Sequence, residues 1–183
     1  MEEIYRQNIE LLDAEWRSLG IGKIKAAGLP WSLDLPDGNN REGISYQMGF
    51  VGQQISVGYH LYRYGREHGN EPMKSRGKAI IDFWTSEAVN STYFPTVWWD
   101  PAENEAGGRR REYPSFLRCM SDGMEGLYDA CVYAADVECR PNPQWEAILD
   151  KVVSHIVEKQ NPDGSFCRAS VSYTHLTLPT NSL

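Results

Sequence analysis

The 183-residue sequence lacks any apolar run approaching the roughly 20 residues that span a bilayer. Its start, Met1-Glu2-Glu3, lacks the basic and then apolar layout of a signal peptide. The expectation is a chain that does not insert into a membrane and resides in the cytoplasm, unless an upstream signal peptide precedes this sequence and directs export. Positive charge is also scarce: 18 Lys and Arg against 25 Asp and Glu leave a formal charge of −7. A sequence-independent nucleic-acid binder needs a basic surface to release phosphate counterions, so nucleic acid is excluded as the first-choice partner. The four cysteines, Cys119, Cys131, Cys139 and Cys167, form no C-x-x-C pair and no cluster with histidine, which leaves a zinc site without local support. Scattered thiols of this kind read as free cysteines in a reducing compartment. His60, His68 and His155 are isolated and read as packing or surface residues. No metal and no cofactor is expected.

Against these absences stands an aromatic content of 11%, with 6 Trp and 10 Tyr. The remaining composition, 41% hydrophobic and 23% charged, is that of a globular domain of roughly 150 residues with its own core. After Ser170 the composition changes. From Val171 to Leu183 no Asp, Glu, Lys or Arg occurs, and Val171-Ser172-Tyr173-Thr174-His175-Leu176-Thr177-Leu178-Pro179-Thr180 resembles the translation of a transposase-type DNA sequencing adapter. Such a scar is excluded from fold reasoning. The expected organisation is a partial domain over residues 1–170 and a non-native, disordered tail over 171–183, with the remainder of the natural chain missing.

Apolar periodicity predicts helices. Ile4, Leu11, Leu12, Trp16 and Leu19 recur at helical spacing and predict an amphipathic helix from Glu2 to Leu19. A second helix is predicted from Gln47 to Glu67, its glycines at Gly49, Gly52 and Gly58 permitting close approach. It ends at His68-Gly69-Asn70, where Asn70 or Glu71 caps a third helix with Pro72 in its first turn. Ser121 or Asp122 is expected to cap a fourth helix reaching about Val137, and Asn142-Pro143 to start a fifth that stops at Gln160-Asn161-Pro162-Asp163-Gly164. Met48 matches Met120 and Pro72 matches Pro143 at an offset of about seventy residues, the signature of repeated helical hairpins.

The connections alternate in length. Residues 20–46 and 89–120 are too long to be mere connectors, and in an up-down array they lie at the same end, by the starts of the second and fourth helices. They carry Trp31, Glu42, Tyr46 and Gln47, then Trp98, Trp99, Asp100, Arg109, Arg110, Tyr113 and Arg118, with Asp122 and Glu125 following. Aromatic rings beside carboxylates and guanidiniums can stack on sugars, bond hydroxyls and hold a carboxylate, so a carbohydrate ligand is expected. The plainer alternative is that about half of these aromatics pin long loops to the helices.

Three segments resemble the six-hairpin glycosidase superfamily: Tyr46-Gln47-Met48-Gly49-Phe50-Val51-Gly52-Gln53-Gln54, Arg118-Cys119-Met120-Ser121-Asp122-Gly123-Met124-Glu125-Gly126, and Lys159-Gln160-Asn161-Pro162-Asp163-Gly164-Ser165-Phe166. The resemblance implies an all-α fold of antiparallel helical hairpins forming part of an (α/α)6 toroid, with five helices present. It also implies a glycoside hydrolase acting on an oligosaccharide or polysaccharide, present as an incomplete and inactive fragment. The alternatives are a non-catalytic carbohydrate-binding helical domain, or another toroid enzyme such as a sugar epimerase or polysaccharide lyase.

Glycoside hydrolysis needs two carboxyls across the scissile bond. Asp122 is the first candidate, four residues after Arg118 and at a helix start, where the helix favours a charged carboxylate suited to act as a base. Asp122 and Glu125 also have the spacing of a capping box, which needs only backbone donors. Asp100, in Trp98-Trp99-Asp100-Pro101, is the second, because flanking indoles can keep an acid protonated; an Asp before Pro also simply starts turns. Glu125 is the third. Trp31, Glu42, Tyr46, Gln47, Trp98, Trp99, Arg109, Arg110, Tyr113 and Arg118 are the candidate substrate-binding residues. Arg109 and Arg110 would receive a uronate carboxylate or else form part of a solvated charge run.

Overall fold

The computed structural model describes residues 2–21, 24–30, 45–48, 53–86, 94, 97–99, 116–140 and 142–166. Helix α1, Glu2–Ala14, opens with Glu2 and Glu3, whose charges suit a helix N-terminus. On its exposed side Arg6 bonds Glu3 and Glu10, each at 2.6 Å, while Ile9 enters the core. The helix stops short of the expected Leu19. Strand β1, Arg17–Ile21, pairs antiparallel with β2, Ile24–Gly28, in the register Arg17↔Gly28 to Ile21↔Ile24. Gly20 is a poor helix former, and the pairing buries Ala26 and Ala27, which a longer α1 would leave without this hairpin.

A second correction concerns the start of the next helix. Strand β3, Ser45–Gln47, pairs with a later strand, β4, Val97–Trp99, and helix α2 runs only from Gln54 to Glu67. Glycines at 49 and 52 weaken any helix there, and Tyr46 suits a strand. Helix α3, Glu71–Trp84, begins as its sequence predicts: the Asn70 side chain accepts a bond from the Met73 amide at 3.2 Å, and Pro72 stands in the first turn. The helices α2 and α3 form a tight antiparallel hairpin because glycine lines their contact. A Cβ on Gly58 would stand 3.0 Å from the Gly77 carbonyl oxygen, and one on Gly77 would meet the backbone of Tyr62 and Gly58.

Helix α4, Leu117–Glu138, starts earlier than the expected Ser121. Phe116 precedes it in extended conformation without a side-chain cap. Helix α5, Pro143–Glu158, is capped by Asn142, which accepts from the Gln144 and Trp145 amides at 3.1 and 3.3 Å. The breaker sequence that follows forms a closed turn, with the Asn161 amide donating to the Ser165 carbonyl at 2.8 Å and Gln160 bridging Phe166.

The fold is all-α, with five helices among the described residues and two small two-stranded sheets. Helix α2 packs against α3 and α4, α4 against α5, β2 against α3, and α1 against α2. Polar and close contacts join the two hairpins. A Cβ on Gly126 of α4 would stand 2.6 Å from the Ser56 amide, so glycine seats α4 directly on α2. The Tyr62 hydroxyl donates to Glu138 at 2.7 Å, and Arg66 donates to the Val137 carbonyl at 2.7 Å. The Trp145 indole donates to Asp82 at 2.7 Å, and Gln144 to the Thr85 hydroxyl at 3.0 Å. Apolar burial is continuous across all of it, from Ile9 through Ile55, Leu61 and Trp84 to Met120, Leu127, Trp145 and Val152.

Candidate functional site

The β3–β4 ladder is the feature around which the candidate site is built. It pairs Tyr46 with Trp98, Gln47 with Val97 and Ser45 with Trp99, and Pro30, earlier in the same long segment as Tyr46, bridges it. The ends of the two long connections therefore meet, as the alternation of loop lengths predicts. Tyr46 itself is fully buried, edge-on to Phe83 at 6.0 Å, and its hydroxyl donates to the Arg17 carbonyl at 3.1 Å. That makes Tyr46 an anchor of the ladder. Beside it the buried Gln54 amide donates to the Leu29 carbonyl and accepts from the Leu29 amide, both at 2.9 Å. A Cβ on Gly28 would stand 2.5 Å from the Gln54 carbonyl oxygen and 2.9 Å from the Tyr46 ring. The glycine is what lets β2, Tyr46 and Gln54 share one place.

Met48, just after β3, and Phe94, just before β4, are fully buried over the second turn of α4. A Cβ on Gly123 would be 2.6 Å from the Phe94 ring and 3.3 Å from the Met48 sulfur. Asp122 immediately precedes Gly123 on α4. Arg118, Asp122 and Glu125 follow one another at spacings of four and three and share a helix face. Arg118 Nε lies 3.6 Å from Asp122 Oδ2, with the arginine side chain 65% and the aspartate 21% exposed. That distance is too long for a hydrogen bond, and Asp122 Oδ2 is buried with no hydrogen-bond partner among the described residues. Glu125 is exposed. The capping-box reading of Asp122 and Glu125 falls, because α4 begins at Leu117 and both residues stand inside it.

Of the remaining candidates, Gln47, Trp98 and Trp99 occupy ladder positions beside Tyr46. Trp31, Glu42, Asp100, Arg109, Arg110 and Tyr113 lie outside the described residues, as do Cys167 and the 171–183 tail. Cys119 and Cys131 are buried, and Cys139 is exposed. Burial, with Glu146 and Asp150 adding, pushes the Cys131 thiol up to about 11, which keeps it protonated and unreactive near neutrality. Among the described residues no group of three or more His, Cys, Asp or Glu side chains is placed to hold a metal ion, and no helix is long and apolar enough to cross a membrane.

A second polar cluster, which periodicity does not reveal, sits at the opposite ends of α2 and α4. Lys78 donates to Glu138 at 3.1 Å and lies over the rings of Tyr62 and Trp145 at 5.3 and 5.8 Å. The Tyr62 hydroxyl bond, then Lys78, hold the Glu138 carboxyl below its ordinary value, while desolvation raises that of Asp82 against the Trp145 indole bond and Lys78. These groups satisfy one another across four helices, so the cluster is a fastening. Its partners are about sixty or more residues apart, and only the N-terminal placement of Trp145 could be read from local spacing. No family model matches the chain, and comparison with curated proteins and with solved structures found none that is similar.

Proposed function

We propose that this chain is part of an (α/α)6-toroid glycoside hydrolase, with Asp122 as the base and Asp100 as the acid of a carboxylate pair acting on an oligosaccharide or polysaccharide. The observation that carries the reading is the packing of the β3–β4 ladder's flanks, Met48 and Phe94, on Gly123 of α4, beside a carboxylate oxygen that has no hydrogen-bond partner among the described residues. A buried acceptor without a hydrogen-bond donor among the described residues is costly to keep in a purely structural role. Asp100 follows Trp99, the last residue of β4, in the sequence. Trp98 and Trp99 supply rings for stacking on sugar faces, and Arg118 sets the orientation of Asp122.

The test is release of reducing sugar from a panel of oligosaccharides by the full-length protein. Asp122→Asn should lower kcat by about 10²- to 10⁴-fold with the circular dichroism spectrum and Tm unchanged. Full activity in that variant would remove Asp122 from the chemistry. Sugar binding without turnover in the unaltered protein would favour the non-catalytic carbohydrate-binding reading.

A further inference from the structure

We propose that the first two turns of α1 form a latch over His60 of α2, closed while the imidazole is neutral and released when it takes up a proton. The inference is independent of any reaction. It starts from the different ways in which the two ends of α1 are held. Towards the C-terminal end Ile9 is buried, Asp13 bonds Arg76 at 2.6 Å, and the Arg76 guanidinium lies 5.5 Å from the centre of the Trp16 ring. From there the chain enters β1, which is paired with β2. The N-terminal end is held to α2 through Tyr5. The Tyr5 hydroxyl and His60 Nδ1 share a bond of 3.2 Å, and the Tyr5 ring stands edge-on to His60 at 6.0 Å and to Tyr64 at 5.8 Å. Ile4 beside it is 64% exposed, and Glu3, Arg6, Gln7 and Glu10 bond one another within the helix. A helix of 13 residues is marginal in water without packing, so its first turns depend on the seat of Tyr5.

That seat responds to a proton because of what Tyr5 covers. His60 is half-buried between Tyr5 and the neighbouring Tyr59 ring at 5.1 Å. The other groups around it are Arg63 and Tyr64 on α2 and Asp129 on α4, with Glu67 close to Tyr5. Arg63 is held by Glu67 at 2.8 Å and by the Tyr59 hydroxyl at 3.3 Å, which keeps a cation beside the imidazole. Burial first, and then Arg63, favour the neutral ring, while Asp129 opposes them. A neutral imidazole accepts the Tyr5 proton at Nδ1; a charged one carries hydrogen on both nitrogens, so that acceptor is lost. Water reaches the charged ring when Tyr5 lifts. The released state therefore binds a proton more readily than the closed one, and acid favours release. Because Arg76 and β1 retain the other end, the opening is local and uncovers Tyr64 and His60.

Residue-resolved amide exchange and histidine titration by NMR, on the whole chain, test the latch. Between pH 7.5 and 5.5 the protection of residues 6–9, corrected for the intrinsic pH dependence of exchange, should fall by up to about tenfold. That is the ceiling for one proton taken up at a histidine of ordinary pKa about 6.5. Low urea should leave this exchange unchanged, and in His60→Gln the protection should be flat across the range. Tyr5→Ala supplies the reciprocal measurement without altering the imidazole: the His60 titration midpoint should rise towards 6.5 while that of His155 stays in place. Exchange at residues 6–9 with the urea dependence of α3 would mean unfolding of the whole chain and would overturn the latch. So would a His60 midpoint that Tyr5→Ala leaves unmoved.

Discussion

Single residues carry two different kinds of constraint in this protein, and its glycines separate them. Gly69, in the α2–α3 turn, has φ 67° and open space around it, so its requirement is purely conformational. Gly77 has ordinary backbone geometry, but an added Cβ would meet the backbone of Tyr62 and Gly58, atoms that no rotamer change can move aside. Gly77→Ala should therefore destabilise the chain by about 1–3 kcal/mol, measured by urea denaturation, through forced separation of α2 and α3. Glycines at helical spacing mark close approach in the sequence itself. Which backbone approaches is not written locally: that Gly123 receives Phe94, or that Gly28 makes room for Gln54, depends on segments far away in the chain. The same holds for Tyr46, whose place among loop aromatics suggests a ligand contact and whose burial assigns it to anchoring the ladder.

At the scale of elements, α1 shows how a helix is attached from outside. Ile9 is buried, Asp13 bonds Arg76 at 2.6 Å, and the Tyr5 hydroxyl and His60 Nδ1 share a bond of 3.2 Å. Burial, reinforced by Arg63 and opposed by Asp129, holds the His60 imidazole below its ordinary value of 6.5. The folded chain thus binds a proton less readily than the unfolded one, so this group's contribution is complete above about pH 6.5 and declines as pH falls below it. His60→Gln should flatten the loss of stability between pH 7.5 and 5.5, measured by urea denaturation. A smaller slope should remain from His155, which burial and Lys159 also hold low. Element starts that depend on local chemistry, the Asn70 and Asn142 caps, are legible in sequence. The ends of α1 and the start of α2 are not, because strand pairing between residues far apart overrides helical periodicity there.

Across the whole molecule, the two hairpins are locked by the Tyr62, Lys78, Asp82, Glu138 and Trp145 cluster. The lowered Glu138 carboxyl stabilises the fold above the ordinary carboxylate range, and that contribution is lost as pH falls through its folded value. Tyr62→Phe removes the hydrogen bond that contributes most to that lowering. It should cost about 1 kcal/mol at pH 7, discounted for the partial exposure of Glu138, and the difference from the parent should shrink as the pH is lowered through the folded value of Glu138. Equal losses across that range would assign the tyrosine's role to packing alone.

Sequence alone determined the all-α class, the five helices, the caps of α3 and α5 and the pairing of helices into repeated hairpins, because helical period and capping chemistry act within a few residues. It also marked Asp122 and the long aromatic segments as unusual. Only the tertiary structure decided that the two segments meet through three paired residues, that Asp122 lies inside α4 with a buried oxygen lacking a hydrogen bond among the described residues, and that the second hairpin's far side carries exposed apolar side chains. Those facts arise from contacts between distant parts of the chain, where burial and strand pairing outweigh the local preferences that a sequence displays.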